Sequence, residues 1–141
     1  MGCLKQQDIY VRGVRVLDLP HFEDYRGSLS VGEIGAQIPF PVKRFFLTYG
    51  VSNQVRGEHA HRTLEQVLIC VYGSLKLTLD DGFRRQEFLL DDPSFAVYVP
   101  PMIWGIQQQH SAHAVLLVLA SERYDPADYI REYPEFLSLC K

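Results

Sequence analysis

RGEHAHRTLEQVLICVYG, residues 56–73, sets two histidines two positions apart just ahead of a strongly apolar run. In a β-strand residues i and i+2 leave the same face. His59 and His61 are therefore expected to point together, and the apolar pattern around them favours the mouth of a barrel over solvent. Val67, Leu68, Ile69, Cys70 and Val71, closed by Gly73-Ser74, read as a buried strand over residues 66–72.

Working outward, the rest of the chain reads as short strands and turns. Residues 9–19 suggest one or two early strands split by Gly13, and Asp24-Tyr25-Arg26-Gly27 a turn before a strand over 28–34. Pro39 and Pro41 punctuate a loop ahead of a strand over 42–51. After the histidines, Leu75, Leu77 and Leu79 alternate with Ser74, Lys76 and Thr78, and Asp80-Asp81-Gly82 supplies a hairpin turn. Strands over 83–90, 95–99, 103–109 and 113–120 complete about ten at even spacing, the pattern of an all-β sandwich or jelly-roll barrel. The tail changes character. Pro126 behind Asp125 as N-cap, with Tyr129, Ile130, Tyr133, Phe136 and Leu137 recurring near helical spacing, predicts a short C-terminal helical segment. Pro134 is expected to break it into two pieces packed across the outside of the barrel.

A chain of 141 residues with 47% apolar and 22% charged residues is expected to form a single domain over residues 1–141. No stretch approaches the length of a membrane span, and residues 1–8 lack the layout of a signal peptide, so the cytoplasm is the expected location. A net charge of −3 argues against non-specific nucleic-acid binding. Cys3, Cys70 and Cys140 are too scattered for a disulfide framework or a zinc knuckle.

The string RGEHAH…EQ at 56–66, LDDG at 79–82, Pro100-x-x-x-Trp104 and LASERYDPADYIR at 119–131 together resemble the dTDP-4-keto-6-deoxy-hexose 3,4-ketoisomerases, the WxcM-like sugar-nucleotide members of the cupin superfamily. The resemblance runs from about Asp18 to the C-terminus. It implies a cupin jelly roll and an isomerase that moves the keto group of dTDP-4-keto-6-deoxy-glucose from C4 to C3, ahead of a pyridoxal-phosphate aminotransferase making 3-amino sugars. It also implies a homodimer, with the N-terminal strands as plausible swapped elements.

Neither a metal nor an organic cofactor is expected. Gln66 stands where metal-binding cupins place Glu, and Gly105 where a further histidine ligand would fall. Two imidazoles fall short of a zinc or iron set, with His110 and His113 the alternatives for completing one. A metal-free pair suits proton transfer, because imidazole takes and returns a proton near neutral pH. By the resemblance His61 is the base and His59 its relay or orienting partner. Gln66, Arg26 and Tyr98 are candidate donors to the enediolate oxygen. Arg44 and Arg56, near Lys43 and Arg62, are candidates for the diphosphate. Strict alternation puts Arg56 on the face opposite the histidines unless Gly57 hosts a β-bulge. Trp104 is either a wall of the sugar pocket or core. Gly105 departs from the larger polar residue usual after that Trp, which leaves the galacto or gluco configuration of the product open, Arg26 tilting towards galacto. Two other readings keep the fold: a dTDP-sugar 3- or 5-epimerase, and a non-catalytic sugar-sensing cupin.

Overall fold

Leu75, Leu77 and Leu79 all leave one face of their strand and are fully buried, because that face meets a second apolar sheet. In the computed structural model, which describes Leu4 and residues 7–141, the strands are β1 (Arg15–Asp18), β2 (His21–Asp24), β3 (Gly27–Ser30), β4 (Arg44–Thr48), β5 (Arg56–His61), β6 (Gln66–Tyr72), β7 (Leu75–Asp80), β8 (Arg85–Leu90), β9 (Phe95–Val99), β10 (Trp104–Gln108), β11 (Val115–Ala120) and β12 (Tyr129–Ile130), followed by the helix α1 (Tyr133–Leu139). One five-stranded sheet runs β1-β9-β6-β11-β4 and the other β12-β5-β10-β7-β8. Strands distant in sequence lie side by side, β1 with β9 and β5 with β10, as jelly-roll connectivity requires. Cys3 lies outside the described residues.

The main core fills the space between the sheets: Leu68 and Cys70 from β6, Val97 and Val99 from β9, Leu116 and Val118 from β11, against the β7 leucines with Phe88 and Leu90 of β8. Alternation then sends Val67, Ile69, Ala96 and Tyr98 to the outer face of the first sheet, where Ile38 and Phe40 fold over them. On the outer face of the second sheet Ala60, Trp104, Ile130 and Phe136 form a third cluster beneath α1. No helix among the described residues is long and apolar enough to cross a membrane.

Several sequence-based boundaries change. Of residues 9–19 only Arg15–Asp18 is strand; Val11 and Val14 are buried but lie in a turn, with the Val14 N–H donating to the Val11 carbonyl. The strand expected over 28–34 stops at Ser30, and the preceding residues form its hairpin partner β2. In the tail, Asp125 caps a 3-10 turn at Pro126–Asp128 by accepting from the Ala127 N–H at 3.0 Å. Tyr129 and Ile130, expected to be helical, instead pair antiparallel with His61 and Ala60 of β5. The open edge of β5 carries backbone groups that need partners, and the tail passes close enough to supply them. Pro134 sits in the first turn of α1, where its missing N–H costs nothing, so it starts the second helical piece rather than breaking one.

Candidate active site

Arg56 and His59 are three positions apart, so on a regular strand their side chains would face opposite ways. Opposite β10, Gly105 pairs with His59 and Ile106 with Gly57, which leaves Glu58 extra, a β-bulge with Glu58 at φ 57° and Gly57 at φ 82°. A Cβ on Gly57 would stand 2.8 Å from the Gly105 carbonyl oxygen, so only glycine lets β5 and β10 approach this closely. The bulge brings Arg56, His59 and His61 onto one cavity between the sheets. Its polar lining is completed by Thr48, Gln66 and Gln107, and its floor is the apolar core, with Phe46, Leu77, Leu79 and Val99.

The imidazoles of His59 and His61 lie 5.0 Å apart edge to face, and Tyr129 packs against both, at 5.0 and 4.4 Å. Each ring has its Nδ1 tied. His59 Nδ1–H donates to the Gly57 carbonyl at 3.1 Å, and His61 Nδ1–H donates to Asp128 Oδ2 at 3.0 Å. The other carboxylate oxygen of Asp128 accepts from the Thr63 N–H and hydroxyl at 2.8 and 2.9 Å. These bonds fix both tautomers with the proton on Nδ1. His61 Nε2 is buried without a hydrogen-bond partner among the described residues and presents a lone pair to whatever enters.

The electrostatics keep that lone pair free. Burial, then the neighbouring His59, then Arg44 push His61 down to about 4 against the pull of Asp128. His59 is also lowered, by burial and then by Arg131, against its bond to the Gly57 carbonyl. Burial alone would raise Asp128, but the Thr63 donors and His61 outweigh it and hold the carboxyl below its usual range. At neutral pH the pair is two neutral acceptors backed by a carboxylate. Such a pair can remove a proton from carbon and hold it for return.

Other expected residues divide. Arg44 shares the inward face of β4 with Phe46 and Thr48, its guanidinium packed over Phe46 at 5.4 Å and Tyr124 at 5.6 Å. Gln66 lines the cavity. Trp104 does not: it faces the opposite side of β10, buried against Tyr133 at 5.2 Å and Phe136 at 5.7 Å, and belongs to the seal under α1. Tyr98 likewise leaves the outer face of the first sheet, where its hydroxyl donates to Glu65 Oε1 at 2.6 Å and burial, then Glu65, push it up to about 12. It cannot donate to an oxygen in the cavity. Arg26 sits at the tip of the β2–β3 hairpin with its side chain 74% exposed and ion-paired to Asp24 at 2.6 Å, away from the residues lining this cavity.

Four residues that sequence reasoning missed are Asp128, Tyr129, Thr48 and Gln107. For Gln107 a signal existed: with Trp104 outward, period 2 sends Gly105 and Gln107 inward. Gly105 faces the cavity, and a Cβ there would meet nothing closer than Leu79 Cδ2 at 3.7 Å, so the missing side chain leaves open space beside His59. Among the described residues no group of three or more His, Cys, Asp and Glu side chains is placed to hold a metal ion.

A family model described as FdtA, WxcM-like, C-terminal, matches residues 12–141. The chain is 42% identical over 123 residues to a TDP-4-oxo-6-deoxy-alpha-D-glucose-3,4-oxoisomerase of Aneurinibacillus thermoaerophilus, covering 86% of this chain and 88% of the relative. Among solved structures it is similar to the sugar 3,4-ketoisomerase QdtA of Thermoanaerobacterium thermosaccharolyticum in complex with TDP, at 36% identity and TM-score 0.90 over 93% of this chain and 96% of that one. It is also similar to the WlaRB TDP-quinovose 3,4-ketoisomerase of Campylobacter jejuni, at 40% identity and TM-score 0.87 over 91% of this chain and 99% of that one.

Proposed function

The chain belongs to the FdtA, WxcM-like C-terminal family, and from that membership and the site geometry we propose that it is a 3,4-ketoisomerase acting on dTDP-4-keto-6-deoxy-glucose, with His61 as the base. The observation that carries the assignment of roles is the open Nε2 of His61, which has no hydrogen-bond partner among the described residues while Asp128 holds Nδ1–H. His61 Nε2 removes the proton from C3. The C3–H electron pair becomes the C3=C4 bond, and the carbonyl pair moves onto O4 as an enediolate. The proton that O3 gives up passes to O4, and as the C3=O bond forms the C3=C4 pair takes at C4 the proton held by the histidine pair, which returns His61 to its neutral state. C3 is oxidised and C4 reduced by the same amount, so no external oxidant is needed.

The imidazolium formed on His61 would be stabilised by the Asp128 carboxylate 3.0 Å away, and His59, its ring centroid 5.0 Å from that of His61, would act as the second proton carrier. Gln66, Gln107, Thr48 and Arg56 line the cavity as donors for the oxygens of the enediolate, a charge that preorganised donors stabilise best in a site shut off from water. The apolar floor excludes water from one side of that intermediate.

The enzyme acts as a homodimer in this reading. Among the described residues the β2–β3 hairpin pairs with no other strand, and an isolated hairpin is marginal in water. Phe22 and Leu29 on the hairpin and Phe45 and Leu47 on the outer sheet are exposed, and a second copy of the chain would cover them. Its proposed compartment is the cytoplasm, where Cys70 and Cys140 would stay reduced. It precedes the aminotransferase that consumes a 3-keto sugar.

The deciding experiment incubates the purified protein with dTDP-4-keto-6-deoxy-glucose and follows the carbonyl carbon by NMR. A ketone arriving at C3 is expected. A ketone that stays at C4 while C3 or C5 inverts makes the protein an epimerase, and an unchanged substrate removes the catalytic reading.

A further inference from the structure

Resting on the reading above, we propose that Tyr129 is a positioning residue for the proton transfer, its ring holding the His59 imidazole against that of His61 so that the two work as one pair. Register decides where this ring stands. β12 has two residues, Tyr129 opposite His61 and Ile130 opposite Ala60. Ile130 and Ala60 are fully buried in the cluster beneath α1. Successive strand residues leave opposite faces, so sinking Ile130 under the helix sends Tyr129 to the side of the histidines. A slip by one residue would forfeit the burial of Ile130, which pins the arrangement. The Tyr129 ring then meets both imidazoles, its centroid 4.4 Å from that of His61 and 5.0 Å from that of His59, while the two imidazoles are 5.0 Å apart. The three rings form a closed triangle.

His59 depends on this support more than His61 does. His61 is tied at 3.0 Å to Asp128, which lies on another element and is itself bound by Thr63. Among the described residues the one hydrogen bond of the His59 ring runs to the Gly57 carbonyl at 3.1 Å, two positions back on its own strand and inside the bulge. The terminal torsion of an imidazole is broad, so a single local bond leaves the ring free to swing unless neighbours stop it. A facing residue on the next strand ordinarily gives that lateral packing. Here the residue paired with His59 on β10 is Gly105, which has no side chain, and even a Cβ there would meet nothing nearer than Leu79 Cδ2 at 3.7 Å. β12 supplies the packing instead, diagonally, through Tyr129. That ring is braced in turn by Arg131, its Cζ 4.3 Å from the centroid, and by the Tyr124 ring at 5.8 Å. The charged groups around the pair are Asp128 and Arg44, which bear on His61, Arg131, which bears on His59, and Arg56 in the cavity wall.

The test is a double-mutant cycle on the intact protein with the sugar nucleotide as substrate, joined to an NMR titration of the two imidazoles. Tyr129→Leu keeps apolar bulk but removes the flat ring, and is expected to lower kcat about 10-fold with KM within about 3-fold. Tyr129→Phe keeps the ring and should rescue kcat to within about 3-fold of wild type. His59→Gln alone should lower kcat by about 10-fold or more. Added to it, Tyr129→Leu should change kcat by no more than about 2-fold, because its effect runs through an imidazole already lost. In Tyr129→Leu the pKa of His59 should rise towards its free value as burial is lost, and in Tyr129→Phe it should stay in place. Tyr129→Thr, a second ringless strand former, is carried through the same measurements so that the cycle survives a misfolded leucine variant. Losses that multiply in the double variant overturn the proposal, as does a folded ringless variant with wild-type kcat and His59 titration, or a phenylalanine variant as slow as the leucine one. If the ketone moves to C3 and the losses multiply, the positioning role alone falls. If the ketone never leaves C4 while removal of the ring still raises the His59 pKa, the hold of Tyr129 on His59 stands and the ketoisomerase reading falls.

Discussion

His61 and Asp128 work as one unit, in which the imidazole supplies the lone pair and the carboxylate decides which nitrogen carries it. His61→Asn removes the proposed base and is expected to lower kcat by roughly 10² to 10⁴, the usual worth of a positioned general base. Asp128→Asn keeps the shape, but an amide can present its NH₂ to Nδ1 and turn the proton to Nε2, the wrong tautomer for abstraction. A kcat loss of about 10² or more is expected, with KM little changed and the acidic limb of the kcat profile moved, since the charge that favours the imidazolium is gone. Steady-state kinetics over pH checks both, and a kcat for Asp128→Asn within about 2-fold of wild type would show that the 3.0 Å contact is structural only. Tyr98 offers the contrast. Its hydroxyl serves Glu65 on the far side of the sheet, so its distance from the chemistry is a matter of parity and not of residue type.

At the scale of elements, β5 and the tail make the site between them. The bulge at Gly57-Glu58 turns Arg56 onto the face of the histidines, and β12 lays Tyr129 beside His61 while the preceding 3-10 turn delivers Asp128. Gly57→Ala is the sharp probe. The new methyl would lie 2.8 Å from a backbone carbonyl oxygen at a φ of 82°. That position cannot relax without parting β5 from β10, so a stability loss of about 1–3 kcal/mol is expected, along with a rise in KM as Arg56 swings away. Denaturant melts and kinetics together check it; a fully stable variant with wild-type KM would mean the bulge can slide. The tail's dependence on packing is visible in Phe136, fully buried against Trp104, so α1 anchors the turn that carries Asp128.

For the whole molecule, stability should respond to acid in a defined window. The folded pKa of His61 is about 4 against 6.5 for the free side chain, so below pH 6.5 the unfolded chain binds the proton that the folded one refuses. Stability is therefore full above about pH 6.5 and falls towards pH 4, by roughly 3 kcal/mol from this group, with His59 acting in the same sense. Urea melts at pH 7 and 5 check the sign, and His61→Asn should flatten the difference. Sedimentation at micromolar concentration checks the dimer: a twofold mass is expected, and Phe45→Glu with Leu47→Glu on the exposed outer sheet should shift it to monomer. Much of this architecture was legible in the chain. Alternation fixed the strands, the i, i+2 spacing brought the two histidines to one face, and the glycine before Glu58 announced a bulge, because each is a local rule acting over a few residues. The faces of Trp104 and Tyr98, the carboxylate behind His61 and the strand in the tail were decided by tertiary structure. Asp128 lies 67 positions from the histidine it orients, and only the closure of one sheet edge by the returning tail puts them together; no periodicity within a single segment carries that information.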